Sequence, residues 1–160
     1  MRIISLNEIR ASVLKAIEEK GGDFVYQEAD PSKGCVYFNE EGEKSCGIGW
    51  ALVDLKLEDA SKENIKRWRH LHGSGDPGAS ELFAQLANDD EDLIVTSHAK
   101  RWADTFQIHQ DRGECWAKSA RAADMKVGQE EYVNAGLRSS ANTAEQFGGM
   151  YSTDEHSPDL

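Results

Sequence analysis

The chain has 160 residues, which suits one domain with a buried core. Acidic residues outnumber basic ones by 29 to 18, and the formal net charge of -11 disfavours nucleic-acid backbones and anionic lipid surfaces as partners. No run approaches the roughly 20 apolar residues that span a bilayer, and the first residues lack the apolar stretch of a secretion signal, so we expect a cytoplasmic protein without a membrane partner.

The first helix has the most regular pattern. Ser5 and Glu8 have the spacing of a capping box, in which each side chain satisfies the other residue's free backbone N–H. Apolar residues then recur at helical spacing and form one stripe: Leu6, Ile9, Val13, Leu14 and Ile17. Gly21 follows Lys20, where a left-handed residue typically ends a helix. The pattern predicts a helix over residues 7–20.

Two short strands are predicted next, over residues 24–26 and 35–38, because both stretches are rich in β-branched and aromatic side chains. The polar stretches 28–34 and 39–44 have the composition of turns, and a third strand over 44–46 would fit. Two strands alone are marginal, so we expect a small antiparallel sheet that packs on helices.

From Ser45 the pattern returns to helix, and the segment to Leu55 is apolar on nearly every side, which predicts a buried core helix. Three more helices follow, over residues 61–71, 80–87 and 91–112, and a last one begins near residue 114. A loop of glycine, serine and proline at 73–78 and an acidic stretch at 88–92 separate them.

After about Lys126 the apolar periodicity fades, apart from a weak helix at 141–147. The sequence therefore predicts an α+β fold that is mainly helical, with about five helices, a small antiparallel sheet of two or three strands and a C-terminal tail. We expect one globular domain over residues 1–125 and a polar, acidic tail over 126–160 that is partly flexible or ordered by a partner.

Two blocks of residues carry a resemblance to other proteins. They are Gly34-Cys35-Val36-Tyr37 followed by Gly42-Glu43-Lys44-Ser45-Cys46-Gly47-Ile48-Gly49-Trp50-Ala51-Leu52, and Gln107-Ile108-His109-Gln110-Asp111-Arg112-Gly113 followed by Trp116 and Ala117. Together they resemble a small uncharacterised family of actinobacterial and phage proteins, in which a Cys-x-Tyr strand leads into a Ser-Cys-x-x-Gly helix. The chain departs from that pattern at Lys56, where the family tends to place a glycine. The resemblance implies an actinobacterial or phage setting and no particular activity.

Cys46 is a candidate reactive thiol. The three cysteines, Cys35, Cys46 and Cys115, have neither the spacing of a disulfide framework nor that of a zinc site, which predicts free thiols. A helix N-terminus favours a thiolate, and Cys46 lies at such a position. The alternative is a buried structural thiol, which we favour because Cys46 begins a strongly apolar run.

Gly47 and Gly49 could expose backbone N–H groups to a phosphate. The segment lacks the third glycine of a dinucleotide-binding fingerprint and the Gly-Lys-Ser/Thr of a P-loop. We therefore favour close packing as the reason for both glycines.

The best candidate for a partner- or anion-binding patch is a run of cations around one aromatic residue, Lys66-Arg67-Trp68-Arg69-His70. The alternative is a solvated helix face with Trp68 turned inward.

The histidines do not have the spacing of metal ligands. His70 and His72 would diverge on a helix, and His98 and His109 lie three helical turns apart, so neither pair predicts a metal site. We expect no metal and no cofactor.

Three functions stay open. The first is a non-catalytic interaction protein that binds a host protein or a second copy of itself, including one encoded by a phage, and it predicts an exposed apolar patch. The second is a nucleic-acid or anionic-ligand binder that uses the basic helix 62–72, although the net charge disfavours nucleic acid. The third and least favoured is a thiol-dependent enzyme at Cys46, since no catalytic triad or carboxylate dyad is evident.

Overall fold

The structure is a computed structural model that describes residues 1–27 and 36–135, with side chains described up to residue 128. Within these residues lie β1 (Arg2–Ile4), α1 (Leu6–Lys20), α2 (Gly47–Asp54), α3 (Glu58–His72), α4 (Ala79–Asp89), β2 (Leu93–Val95), α5 (Ser97–Asp111) and α6 (Trp116–Ala135). The chain divides into two units, Met1–Ala123 and Asp124–Leu160, and the core formed by α1 to α5 belongs to the first.

The predicted turn at 28–34, Cys35, the weak helix at 141–147 and most of the predicted tail lie outside the described residues. Helix α6 begins near the predicted position and continues past Lys126 to Ala135. None of the helices in the described part of the chain is long and apolar enough to cross a membrane.

The prediction of an antiparallel sheet is wrong. The sheet has two strands, β1 and β2, and they are parallel, with Ile3 aligned to Ile94 and Ile4 aligned to Val95. Of the predicted strand pair, the described residues contain only an isolated antiparallel bridge between Phe38 and Lys44. The fold is mainly helical as predicted, with six helices among the described residues rather than about five.

Strand β2 interrupts the helix that was predicted over 91–112. Thr96 has the extended backbone of an N-cap residue, with φ -67° and ψ 155°, and its side chain accepts a hydrogen bond from the backbone N–H of Ala99. A residue in this conformation starts a helix and cannot lie inside one. The apolar residues before it, Leu93–Val95, therefore pair with β1 instead of extending α5.

Phe24 and Tyr26 serve as anchors rather than as strand residues. The Phe24 ring packs edge-to-face on Trp116 with 4.5 Å between ring centroids, and the Phe24 carbonyl accepts a hydrogen bond from the Trp116 backbone N–H. The Tyr26 hydroxyl lies 3.2 Å from Oγ of Ser45. The aromatic residues that suggested a strand thus contact α6 and the segment just before α2 through their side chains.

The predicted first helix is confirmed. Ser5 is the N-cap of α1, its Oγ accepts a hydrogen bond from the Glu8 N–H, and the helix ends before Gly21. The predicted core helix is also confirmed, although α2 begins at Gly47 rather than Ser45. Beyond α2, Lys56 has a φ of 60°, a left-handed conformation that favours glycine.

Close packing explains the paired glycines of α2. A Cβ atom on Gly49 would lie 2.0 Å from the carbonyl oxygen of Tyr37, and one on Gly47 would lie 2.4 Å from Cε1 of Phe106. Both distances are far shorter than any van der Waals contact, so only glycine fits at either position. The interpretation of these glycines as packing residues is confirmed.

Candidate interaction surface on helix α3

The C-terminal end of α3 presents an apolar side chain to solvent. Leu71 is 77% exposed, and among the described large apolar side chains only Met1 is more exposed. Trp68 lies three residues earlier on the same side of the helix and is half-buried. Its ring contacts the imidazole of His72 with 4.0 Å between centroids. Because residues three and four positions apart lie on the same side of a helix, we group Trp68, Leu71 and His72 and call them the α3 surface.

The local sequence accounts for how α3 is oriented. Ser61, Asn64 and Ile65 are buried and attach its first half to the core. Acidic residues lie in its first turn and basic residues in its last turn, where each sign of charge is favoured by the helix dipole. The helix ends at Gly73, which has a φ of 85°. The last turn therefore extends into solvent with Leu71 and His72 exposed.

Arg67 is bound to the end of α4. Its guanidinium forms an ion pair with Asp89, whose Oδ2 also accepts a hydrogen bond of 3.0 Å from Nδ2 of Asn64. The hydrogen bond from Arg67, supported by that from Asn64, holds the pKa of Asp89 below its usual value. The charge of Arg67 is therefore already compensated within the chain.

Arg69 pairs with a carboxylate that is more buried than the partner of Arg67. Its Nε and Nη2 lie 2.8 and 2.6 Å from Oδ1 of Asp76, a carboxylate whose side chain is only 2% exposed. The second oxygen of Asp76 accepts a hydrogen bond of 3.2 Å from the Tyr37 backbone N–H. Loss of Arg69 would leave a buried carboxylate without its cation, which typically costs about 3–5 kcal/mol. Arg69 is therefore a structural residue.

The predicted basic patch is thus separated into parts with different roles. Lys66 and His70 are exposed, and Trp68 is half-buried against His72. Leu71 and His72 belong to the same surface but were not among the predicted site residues. Their spacing from Trp68, three and four positions, is the pattern from which they could have been recognised.

Cys46 is fully buried, at 0% exposure, as the N-cap residue of α2. A thiol in that environment is not accessible to a substrate in the described structure. Cys115 is half-buried. Among the described residues, no group of three or more His, Cys, Asp or Glu side chains could hold a metal ion.

No protein-family model, curated protein or solved structure matches the chain.

Proposed function

We propose that this chain is a non-catalytic interaction protein that binds a partner protein through the α3 surface. The observation that supports the proposal is the exposure of Leu71 beside the half-buried ring of Trp68. A single exposed leucine is ordinary on a protein surface. A leucine next to a tryptophan is a stronger indication, because tryptophan is enriched among the residues that contribute most to binding energy.

The flanks of the α3 surface also suit binding. Arg67 and Arg69 are held by Asp89 and Asp76, so their long side chains are already ordered before a partner arrives. Ordering such a side chain on binding costs about 0.5–1.5 kcal/mol, and this cost is reduced here. The partner that fits is a protein with an apolar pocket for Leu71 and a polar rim. The only basis for expecting a host protein as this partner is the sequence resemblance to phage proteins, and the alternative is a second copy of the chain.

Nucleic-acid binding by the same helix is the less favoured function. Both arginines already pair with acids of the chain, and the net charge of -11 opposes approach to a phosphate backbone. The substitution Arg69→Glu would not test it cleanly, because it would leave Asp76 unpaired in the interior.

Site-specific photocrosslinking tests the proposed function. A benzophenone side chain at position 71 should yield a covalent adduct with one partner protein in cells. The matched control is position 108, where Ile108 of α5 is also exposed, at 43%. Adducts from position 71 alone support the proposal, and a dimer of the chain itself would identify the partner as a second copy. Equal adducts from both positions, or none from 71, would refute it.

A further inference from the structure

A second surface lies around Trp50, and it differs in chemistry from the α3 surface, which is formed by the other end of α3. Trp50 projects from α2, is half-buried, and packs edge-to-face on Trp116 with 6.3 Å between ring centroids. Two ammonium groups lie over its ring: Nζ of Lys44 is 4.0 Å and Nζ of Lys20 is 5.3 Å from the centroid. Both lysines are exposed and reach the ring from different elements, Lys20 from the end of α1 and Lys44 from the segment before α2.

The two ammonium groups are close neighbours. Because both distances are measured to one centroid, their nitrogen atoms are separated by at most 9.3 Å, the sum of 4.0 and 5.3 Å. Like charges repel each other when they lie within the screening length, which is about 8 Å at physiological ionic strength and close to this upper limit. One cation over a tryptophan face is a common stabilising contact. The second ammonium group adds repulsion from the first, so the stabilising effect of a single cation–π contact does not explain why both lie beside one ring.

The ring lies between two depressions in the surface, with volumes of about 430 and 370 Å³, which share Lys44, Trp50 and Val53 in their walls. The two walls together contain four lysines, at positions 15, 20, 44 and 56, and four acids, at positions 19, 43, 54 and 58. This balance contrasts with the chain as a whole, in which acids exceed bases by 11.

Three of those four acids already have a side-chain partner, and Glu43 accepts a hydrogen bond of 3.4 Å from Nδ2 of Asn39. Asp54 accepts hydrogen bonds from Ser12, at 2.6 Å, and from Lys15, at 3.3 Å. Glu58 pairs with Lys62, which lies outside both depressions. Lys20 and Lys44, in contrast, form no ion pair among the described residues, and their ammonium groups lie over aromatic rings. Lys44 also acts at longer range on Asp54, whose pKa is lowered mainly by the hydrogen bond from Ser12 and in smaller part by the charges of Lys15 and Lys44. The two depressions, which together we call the cleft around Trp50, therefore contain two ammonium groups that are held in place without a direct ion-pair partner among the described residues.

From these contacts we propose that the cleft around Trp50 binds a small polyanion. Its phosphate or carboxylate groups contact the ammonium groups of Lys20 and Lys44, and a flat or apolar part lies against Trp50 and Val53. A bound anion relieves the repulsion between the two lysines, and the ring contacts keep both side chains ordered for binding. This site is independent of the α3 surface, so either proposal can fail without the other.

The test follows the tryptophan indole N–H resonances of the full-length, ¹⁵N-labelled protein by NMR. The resonance of Trp50 is assigned from its loss in Trp50→Phe. Inorganic pyrophosphate, citrate and a nucleoside triphosphate are titrated in turn. We expect the Trp50 resonance to shift saturably with at least one of them, with a Kd that rises with salt.

The compound that binds identifies the recognised group. A response to both phosphate compounds identifies phosphate, and a response to citrate alone identifies carboxylate. A response to the triphosphate alone identifies a phosphate that carries a ring.

Charge removal shows whether the lysines bind the ligand. Lys20→Gln and Lys44→Gln should each raise the Kd about tenfold or more, the size expected for one lost charge contact. Lys44→Arg retains the charge and should bind. Lys118→Gln, at an exposed position outside the cleft, is the matched control and should leave the Kd unchanged. The absence of a saturable shift with all three compounds at about 10 mM, or an unchanged Kd in both glutamine variants, would overturn the proposal.

Discussion

Gln110 and Gly47 are joined by a buried hydrogen bond of 2.9 Å, in which the backbone N–H of Gly47 donates to Oε1 of the glutamine. The same oxygen accepts a second hydrogen bond, of 3.0 Å, from the indole Nε1–H of Trp116. Gln110 is 1% exposed, so water cannot replace either bond. One amide oxygen thus connects α5 to the first turn of α2 and to the start of α6.

A second glutamine repeats the arrangement one helical turn earlier. Oε1 of Gln107 accepts a hydrogen bond of 2.8 Å from the Ala79 backbone N–H. It also lies 3.3 Å from the Tyr37 hydroxyl, whose proton is donated to the Pro77 carbonyl at 2.7 Å. Neither N-cap residue supplies a capping side chain, since Cys46 of α2 makes no such hydrogen bond and Gly78 of α4 has no side chain. Since the first N–H groups of a helix have no intrahelical partner, the glutamines of α5 supply the caps that the local sequences lack.

Removal of the Gln110 amide should destabilise the fold strongly. Gln110→Met keeps the length of the side chain but leaves the Gly47 and Trp116 donors buried without an acceptor, at about 1–3 kcal/mol for each donor. Urea unfolding should show a loss of several kcal/mol in the free energy of unfolding. Gln85→Met is the control, because among the described residues the Gln85 side chain makes one hydrogen bond, an exposed one to Glu81. A loss no larger than that of the control would contradict this role.

Gly49→Ala should also destabilise, although helix propensity argues the other way. Alanine is favoured over glycine inside a helix by about 1 kcal/mol. The new Cβ would lie 2.0 Å from the Tyr37 carbonyl oxygen, so the backbone must move. We expect a loss of more than about 3 kcal/mol or failure to fold. Gly22→Ala, where the Cβ would meet Ala117 at 3.4 Å, should be tolerated, and thermal unfolding of both variants provides the comparison.

Two buried serines should respond to alanine with opposite signs. Oγ of Ser61 is buried and has no hydrogen-bond partner among the described residues, so Ser61→Ala should stabilise the fold by about 0.5–1.5 kcal/mol. Oγ of Ser12 donates to Asp54 at 2.6 Å, and Ser12→Ala should destabilise. Chemical denaturation of the two variants tests the contrast. A stabilising Ser12→Ala or a destabilising Ser61→Ala would count against these contacts.

The stability of the fold should fall in acid. The hydrogen bond from Ser12 is the main cause that holds the pKa of Asp54 below its usual value of 3.8, and burial opposes it. A carboxyl group with a lowered folded-state pKa stabilises the fold fully above 3.8, and this contribution is lost as the pH falls through the folded-state pKa. The urea concentration at the midpoint of unfolding should therefore decrease when the pH is lowered below 3.8. The decrease should be smaller in Ser12→Ala than in the unsubstituted protein. An equal drop in both proteins would exclude this linkage.

The thiols should differ in reactivity. Iodoacetamide should modify the half-buried Cys115 in the native protein and should modify Cys46 only after unfolding, because a buried thiol is inaccessible. Peptide mass spectrometry of native and urea-treated samples measures both rates. Native modification of Cys46 at the rate of Cys115 would revive the interpretation of Cys46 as a reactive thiol.

Local patterns explain which parts of the fold could be predicted. Helix α1 was predictable because its cap, Ser5, and its apolar stripe are close in sequence. Strand β2 was not, because its stability depends on pairing with β1 far away in the chain, and the apolar stripe of α5 continues without a break across Thr96. Parallel pairing leaves no turn sequence that could indicate it.

The surfaces were predictable only in part for a similar reason. Trp68 was found because cations flank it in sequence, but the acids that neutralise those cations, Asp76 and Asp89, come from later segments. Trp50 was placed in the core by its apolar neighbours, whereas the structure leaves it half-buried under Lys44 and Lys20. Charge compensation and exposure both depend on tertiary contacts.

The affinity of a partner for the α3 surface tests the proposed function most directly. With the protein that crosslinks to position 71, calorimetry should show that Leu71→Gln weakens binding at least about tenfold, which corresponds to roughly 1.4 kcal/mol for a central apolar contact. Ile108→Gln should leave the affinity unchanged, and both variants should unfold at the temperature of the unsubstituted protein. Equal affinities for Leu71→Gln, Ile108→Gln and the unsubstituted protein would contradict the proposed function.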